Sequence, residues 1–409
     1  MTANPGGPAL RRRSFHSRWR RLSGAAVAGM VVISCGYGDS IAPSRQALNE
    51  GRQIFRFNTF GDETFWTDTL RMHEVVQTVP PTVALAVGLK VDADTLPDAV
   101  LQAIQAGQVD LADPATTVTL LKLGAVVGLK ATVDENNQIT SLGTTCALCH
   151  STVDDRIAKG IGSRLDGWPN LELNPGAIIA LSPALTPSQK AIYNSWGPGR
   201  FDPRFNFDGL NGPVLIPPAY GLKGVHSITS TGDGPDIAYW NRYVGVTQMH
   251  GHGSFVEPRL GIDVQNDPDL ISSKLPALQA YQLSLNAPRP RPGSFDPAAA
   301  ARGRVVFDGA GTCSTCHTGT LLTDANTRLH PPSEVVSEPE PNGGPSWASR
   351  SATKMYRTTP LRALQLHPPY FHNGIAPTLA AVVELYDARL GLHLTPEQKA
   401  DLVEYLRSI

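Results

Sequence analysis

Cys146-Ala147-Leu148-Cys149-His150 and Cys313-Ser314-Thr315-Cys316-His317 are the two stretches on which the reading of this chain turns. Both read Cys-x-x-Cys-His, the attachment pattern of a c-type haem. Two thiols one helical turn apart can each add to a haem vinyl group, and the histidine that follows presents an imidazole to the iron. His150 and His317 are therefore the expected proximal ligands. Cys146, Cys149, Cys313 and Cys316 are the expected thioether anchors of two covalently attached haem c groups. Two other uses of four thiols explain less. A structural zinc site needs no histidine directly after each pair, and it would have to unite pairs separated by 163 residues. Thiol–disulfide exchange also leaves both histidines without a purpose. The fifth cysteine is Cys35, so no pair remains for a disulfide framework.

Upstream of the first motif the chain opens with Arg11, Arg12, Arg13, Arg18, Arg20 and Arg21, followed by an uncharged, mostly small and apolar run from Leu22 to Ser34. A basic stretch before a short apolar one is the pattern of an export signal over residues 1–34. Thirteen residues are too few to cross a bilayer as a helix, so no integral span is expected. Val32-Ile33-Ser34-Cys35 resembles the lipobox of bacterial lipoproteins, which would make Cys35 a lipid anchor. A periplasmic location, tethered to a membrane through Cys35, follows as an expectation.

The 409 residues carry 35 Lys+Arg against 36 Asp+Glu, but the six arginines above precede any acid. From Cys35 onward the balance is 29 against 36, a net −7. A net acidic body does not suit a binder of phosphate backbones, so nucleic acid is not an expected partner. Redox partner proteins carrying basic patches are expected instead: a small cytochrome, a cupredoxin or a quinol-linked complex. With 41% hydrophobic content the chain can bury cores of its own, and 38 glycines and 34 prolines without any period point to long ordered loops.

Asn286 to Gly293, reading NAPRPRPG, is the clearest boundary, because alternating proline excludes helix. It divides the chain into a first haem domain over residues 45–286, a linker over 287–293 and a second domain over 294–409. Leu275 to Leu285 has apolar residues at helical spacing, and Asp296-Pro297 starts a further helix as N-cap and first residue. Thr395 and Gln398 form a capping box before a closing helix with Leu402, Val403, Tyr405 and Leu406 on one face. In the first part Gly51-Arg52-Gln53-Ile54-Phe55 opens a helix, yet its haem motif comes about ninety residues later, so an insertion intervenes. Within it Val87-Gly88-Leu89-Lys90 and Val127-Gly128-Leu129-Lys130 echo one another, and Ala131 to Leu142 reads as a β-hairpin leading into Cys146. The expected fold is mainly α, with two cytochrome c-like domains, the first enlarged by insertions that include this hairpin.

The second domain resembles the C-terminal half of bacterial dihaem cytochrome c peroxidases and the related MauG branch. The residues that carry this are Cys313 to Gly319, Leu322-Thr323-Asp324 and His330, Tyr356-Arg357-Thr358-Thr359-Pro360-Leu361-Arg362, Pro369-Tyr370-Phe371-His372-Asn373-Gly374, Thr378-Leu379 and Val382-Val383. They lie between Cys313 and Val383. The resemblance implies electron transport first and peroxide chemistry second. It also implies an interhaem calcium, for which the sequence shows no motif. The first domain departs from the family, because no histidine follows His150 until His226 and the Arg-Asn-x-Pro-x-Leu run is absent.

The sixth ligand of each iron decides the chemistry: a closed haem passes electrons, whereas an open one admits peroxide. For the second haem, Tyr386 stands where the family places a methionine or, in the MauG branch, a tyrosine. Met355, 38 residues after His317, suits a small cytochrome c, and His330 and His372 are alternatives with structural readings. For the first haem, Met249, His250 and His252 cluster between glycines, which would let backbone approach a macrocycle. His226 and His73 are weaker candidates, and Trp240 and Trp347 are aromatic groups able to lie between haems. Electron transfer is the favoured function, with peroxide reduction at one open haem as the alternative.

Overall fold

Each half of the chain is built on a helix crossing that a glycine makes possible. The helices that carry the cores are α1 (Arg45–Phe57), α2 (Ile237–Thr247) and α3 (Leu275–Ser284) in the first half. In the second they are α4 (Pro297–Asp308), α5 (Leu379–Leu390) and α6 (Pro396–Arg407). Where α1 meets α3, a Cβ on Gly51 would lie 2.0 Å from the Ala277 carbonyl oxygen, and the buried Phe55 ring sits 5.7 Å from Tyr281. Where α4 meets α6, a Cβ on Gly303 would lie 1.9 Å from the Asp401 carbonyl oxygen, and Phe307 sits 5.0 Å from Tyr405. The same Gly-x-x-x-Phe spacing therefore meets a tyrosine of the closing helix twice. Backbones this close leave no room for a side chain, which makes the two glycines obligatory.

The computed structural model describes residues 42–409, so the expected export signal, residues 1–34, and the expected lipid anchor at Cys35 lie outside the described residues. Residues 43–409 form one compact unit. Its helix ends follow local chemistry. Ser44 accepts from the Ala47 amide, Asp296 accepts from the amides of Ala298 and Ala299, and Thr395 and Gln398 cap α6 reciprocally. The Pro-rich segment 287–293 carries neither helix nor strand between α3 and α4.

The insertion forms a core of its own around Leu70, Met72, Val91, Leu120, Leu121 and Ile161. Its hairpin pairs β1 (Leu129–Val133) with β2 (Ile139–Thr144), with a bulge at Thr132/Val133. The two echoed Val-Gly-Leu-Lys segments lie side by side, since the Val127 amide donates to the Lys90 carbonyl at 2.9 Å. All the sheets among the described residues are two-stranded, so helices and ordered loops carry the packing.

The halves are laid directly against each other. The Leu215 amide donates to the His372 carbonyl at 2.8 Å and the Arg357 amide to the Ser230 carbonyl at 3.0 Å. Arg350, from the second half, enters a buried pocket of the first and donates to Asp202, Asp208, Leu210 and Gly212. Its guanidinium also lies 4.7 Å from the Trp347 ring centroid.

Candidate haem-binding centres

The first Cys-x-x-Cys-His motif leaves β2 as a single helical turn, Ala147–His150, closed by the His150 amide on the Cys146 carbonyl at 3.2 Å. The following strand β3 (Ser151–Val153) pairs with β4 (Arg164–Asp166), and the Gly167 and Asn170 amides donate back to the carbonyls of His150 and Cys149. The loop is thus held from both sides. His150 Nδ1 donates to the Pro217 carbonyl at 3.2 Å, which leaves Nε2 as the lone-pair nitrogen. Burial pushes His150 down to about 4, so the ring is neutral at pH 7. Burial also pushes the Cys146 and Cys149 thiols up to about 12, away from free thiolate chemistry.

The second motif follows α4 through Gly311, whose amide donates to the Val306 carbonyl at 2.7 Å, and turns at Cys313–Thr315. His317 repeats the arrangement of His150: its Nδ1 donates to the Leu322 carbonyl at 3.0 Å and burial lowers its pKa. An imidazole whose Nδ1 proton is pinned to a carbonyl, with Nε2 free, is the state an iron ligand requires. Tyr386, on α5, is half-buried and lies so close to the second motif that Cys313 and Cys316 add to burial in raising its hydroxyl's pKa. Phe371 stands 6.0 Å from its ring. The cysteines of the two motifs share no metal-ligating cluster among the described residues, so the zinc arrangement is not formed.

The family profile described as "Cytochrome c" matches residues 300–409. Residues 300–409 are a cytochrome c domain. The cytochrome c551 peroxidase of Pseudomonas aeruginosa is 29% identical over 152 residues, covering 32% of this chain and 42% of that protein. The chain therefore spans less than half the length of that curated relative. A solved MauG-like protein associated with microbial copper homeostasis is 20% identical with a TM-score of 0.32, covering 49% of this chain and 74% of that one. The hydrazine synthase of Kuenenia stuttgartiensis is 22% identical with a TM-score of 0.25, covering 36% and 57%. The family match and the peroxidase relative support the resemblance to cytochrome c peroxidases that the C-terminal motifs carry.

Within the cytochrome c domain the two histidine alternatives are held by carboxylates. His330 Nδ1 lies 2.9 Å from Glu334, and its Nε2 lies 3.0 Å from Asp324 and 3.1 Å from Thr358. His372 Nε2 lies 2.6 Å from Glu340, and its ring packs on Tyr356. Met355 sits in a turn in which its amide donates to Thr353. Of these groups, Tyr386 and His330 both have motif thiols in their surroundings, Tyr386 near Cys313 and Cys316 and His330 in one cluster with Cys316 and Asp324.

The first-half cluster does not act as one unit. Met249 is buried in the apolar cluster that also holds Ala147 and packs on Cys146, and its carbonyl accepts from the Trp66 indole at 3.1 Å. His250 stacks on Phe65 at 3.6 Å, and burial pushes it down to about 4. His252 points Nδ1 at the Asp267 carbonyl, 2.8 Å away. At Gly251 a Cβ would meet Phe60 at 2.8 Å, so that side of the glycine is filled by protein. His226 is exposed, and His73 is partly buried on a short helix of the insertion. Trp240 stacks on Tyr243 in the first core, and Trp347 lies beneath Arg350.

Two buried ionisable groups to which the sequence assigned no role stand near the centres. Asp62 is fully buried, bonded to the Thr144 amide and hydroxyl, and burial raises it to about 8 in the surroundings of Cys146. Arg357 has a buried Nε without a partner, and burial lowers it to about 10 with no carboxylate offsetting the charge. An uncompensated buried guanidinium calls for an anion. A haem carboxylate meets that need, so the residues present fit the group that the motifs imply. No helix among the described residues is long and apolar enough to cross a membrane.

Proposed function

We propose that this protein is an exported dihaem c-type cytochrome that carries electrons through two covalently bound haems. The observation that supports this best is the paired one: two Cys-x-x-Cys-His loops in one compact unit, each with its histidine Nδ1 held by a backbone carbonyl. A c-type haem supplies reversible one-electron chemistry. The chain's own part is to hold the macrocycles by Cys146, Cys149, Cys313 and Cys316 and to fix the imidazoles of His150 and His317. Arg357 neutralises a carboxylate in the space between the halves. Partners are redox proteins of the cell envelope, a small cytochrome, a cupredoxin or a quinol-linked complex, and the location is periplasmic with Cys35 as a lipid anchor.

A second reading, reduction of hydrogen peroxide with two electrons and two protons to two waters at one open haem, is favoured by Tyr386. Cys313 and Cys316 stand in the surroundings of its hydroxyl, which supports a tyrosine at the second centre. Visible and electron paramagnetic resonance spectra of the oxidised, half-reduced and reduced protein, each with stoichiometric peroxide, separate the readings. Two low-spin haems that peroxide leaves unchanged support electron transfer. A high-spin haem whose spectrum peroxide changes contradicts it and makes the protein an enzyme.

A further inference from the structure

We propose that a cavity on the seam of the two halves is a binding site for a small, multiply charged oxyanion, either phosphate or a short dicarboxylate. The cavity holds about 500 Å³, the size of a small-molecule site. Three cationic side chains from three separate segments converge on it: Lys223 from a first-half loop, Arg289 from the Pro-rich segment, and Arg362 from the Thr-Pro-Leu-Arg stretch of the cytochrome c domain. No carboxylate lines it. Segment 287–293, expected as a passive linker, thus supplies part of a wall.

Charge and geometry both favour an anion here. From Cys35 onward the chain carries a net −7, so a carboxylate-free cavity with three cations reverses the charge of the rest of the chain. Arg362 is partly buried, and burial lowers its pKa with no carboxylate to offset the cost. Its guanidinium is pinned, Nη1 on the Leu361 carbonyl and Nη2 on the Thr320 carbonyl, both at 2.8 Å, so the charge is already oriented before any ligand arrives. Like charges gathered this way repel unless an anion is shared among them. Two planar guanidinium forks and one point-like ammonium suit an oxyanion with two or more charges.

The site also has a place in the chemistry. Leu321 lines the cavity, and the next residue, Leu322, supplies the carbonyl that pins His317 Nδ1. A dianion held there favours the oxidised state of the second haem and lowers its reduction potential. That consequence rests on the proposed haem function; binding itself does not, and calorimetry keeps the two apart.

The test is titration calorimetry on the haem-loaded full chain, with inorganic phosphate in one series and succinate in another, in a buffer of monovalent ions. Saturable one-to-one binding of at least one anion is expected, and which of them binds tells a tetrahedral ligand from a dicarboxylate. The Lys223→Gln/Arg289→Gln variant, altered only at exposed side chains, should bind roughly tenfold more weakly or worse, given the usual strength of charged hydrogen bonds. Arg362→Lys should weaken binding as well, since it keeps the charge and loses the fork. Absence of saturable binding of both anions at millimolar concentration overturns the proposal. So does undiminished affinity in the double variant. A shifted haem potential in that variant, with no anion binding in the wild type, would assign the cations to the haem's own carboxylates and also overturn it.

Discussion

Replacing Arg350 with methionine should separate the two halves energetically more than any other single change. The guanidinium makes six hydrogen bonds: two to Asp208 at 2.7 and 2.9 Å, two to Asp202 at 3.1 Å each, and one each to the Leu210 and Gly212 carbonyls at 2.8 and 3.2 Å. The side chains of Arg350 and Asp202 are 4% and 0% exposed. Removing the cation leaves Asp202 charged in a dry site with only the amides of Arg204, Phe205 and Gly212. Breaking a buried pair from one side costs about 3–5 kcal/mol. Burial already raises the Asp202 pKa against the opposing pull of Arg350, and without Arg350 it rises further. The sign then follows: the folded state holds a proton that the unfolded carboxyl releases, so the variant loses more stability as pH rises above the ordinary carboxylate range. Guanidinium chloride unfolding at pH 5 and pH 8 measures both effects. Arg350→Met/Asp202→Asn should recover part of the loss by removing the stranded charge. A single variant within about 1 kcal/mol of wild type at pH 8, below the cost expected of a broken buried pair, would refute the reasoning. So would a double variant less stable than the single one.

Three further outcomes follow from particular side chains. Tyr386→Phe should alter the visible and paramagnetic resonance signature of the second haem and leave the first unchanged; identical spectra would make Tyr386 a packing residue. Gly303→Ala should destabilise the cytochrome c domain by about 1–3 kcal/mol in denaturant unfolding, because a Cβ there must push the α4/α6 crossing apart. Asp62→Asn should flatten the pH dependence of stability: a folded pKa of about 8 above an ordinary 3.8 means that wild-type stability falls as pH rises between those values. Equal slopes for variant and wild type, measured by thermal unfolding at pH 5 and pH 8, would remove Asp62 from the account.

Local chemistry made much of this legible. The spacing of Leu275 to Leu285 foretold the helix Leu275–Ser284, and Asp296, Thr395 and Gln398 cap as their types demand. The hairpin before Cys146 and the irregular NAPRPRPG segment follow from alternation and from proline. Tyr386 came forward through the family resemblance, by its distance from the Pro-Tyr-Phe-His-Asn-Gly stretch. What stayed hidden depends on contacts distant in sequence. The glycines around His250 and His252 read as room for a macrocycle, but the space beside Gly251 is taken by Phe60, nearly two hundred residues earlier. Asp62 stands in an ordinary-looking stretch, and although Arg357 lies in a stretch that carries the family resemblance, only burial without a counter-charge marks either side chain. Arg350 reads as one more surface arginine until the first half folds around it.

The account stands on each motif carrying its own covalent haem, and intact-mass measurement with pyridine haemochrome quantification tests this most directly. The protein, expressed with haem-attachment machinery, is compared with Cys146→Ser/Cys149→Ser and Cys313→Ser/Cys316→Ser. Two haems in the wild type and one in each variant, with a different spectrum remaining in each case, is the predicted result. One haem or none in the wild type, or two haems surviving in either variant, would contradict it.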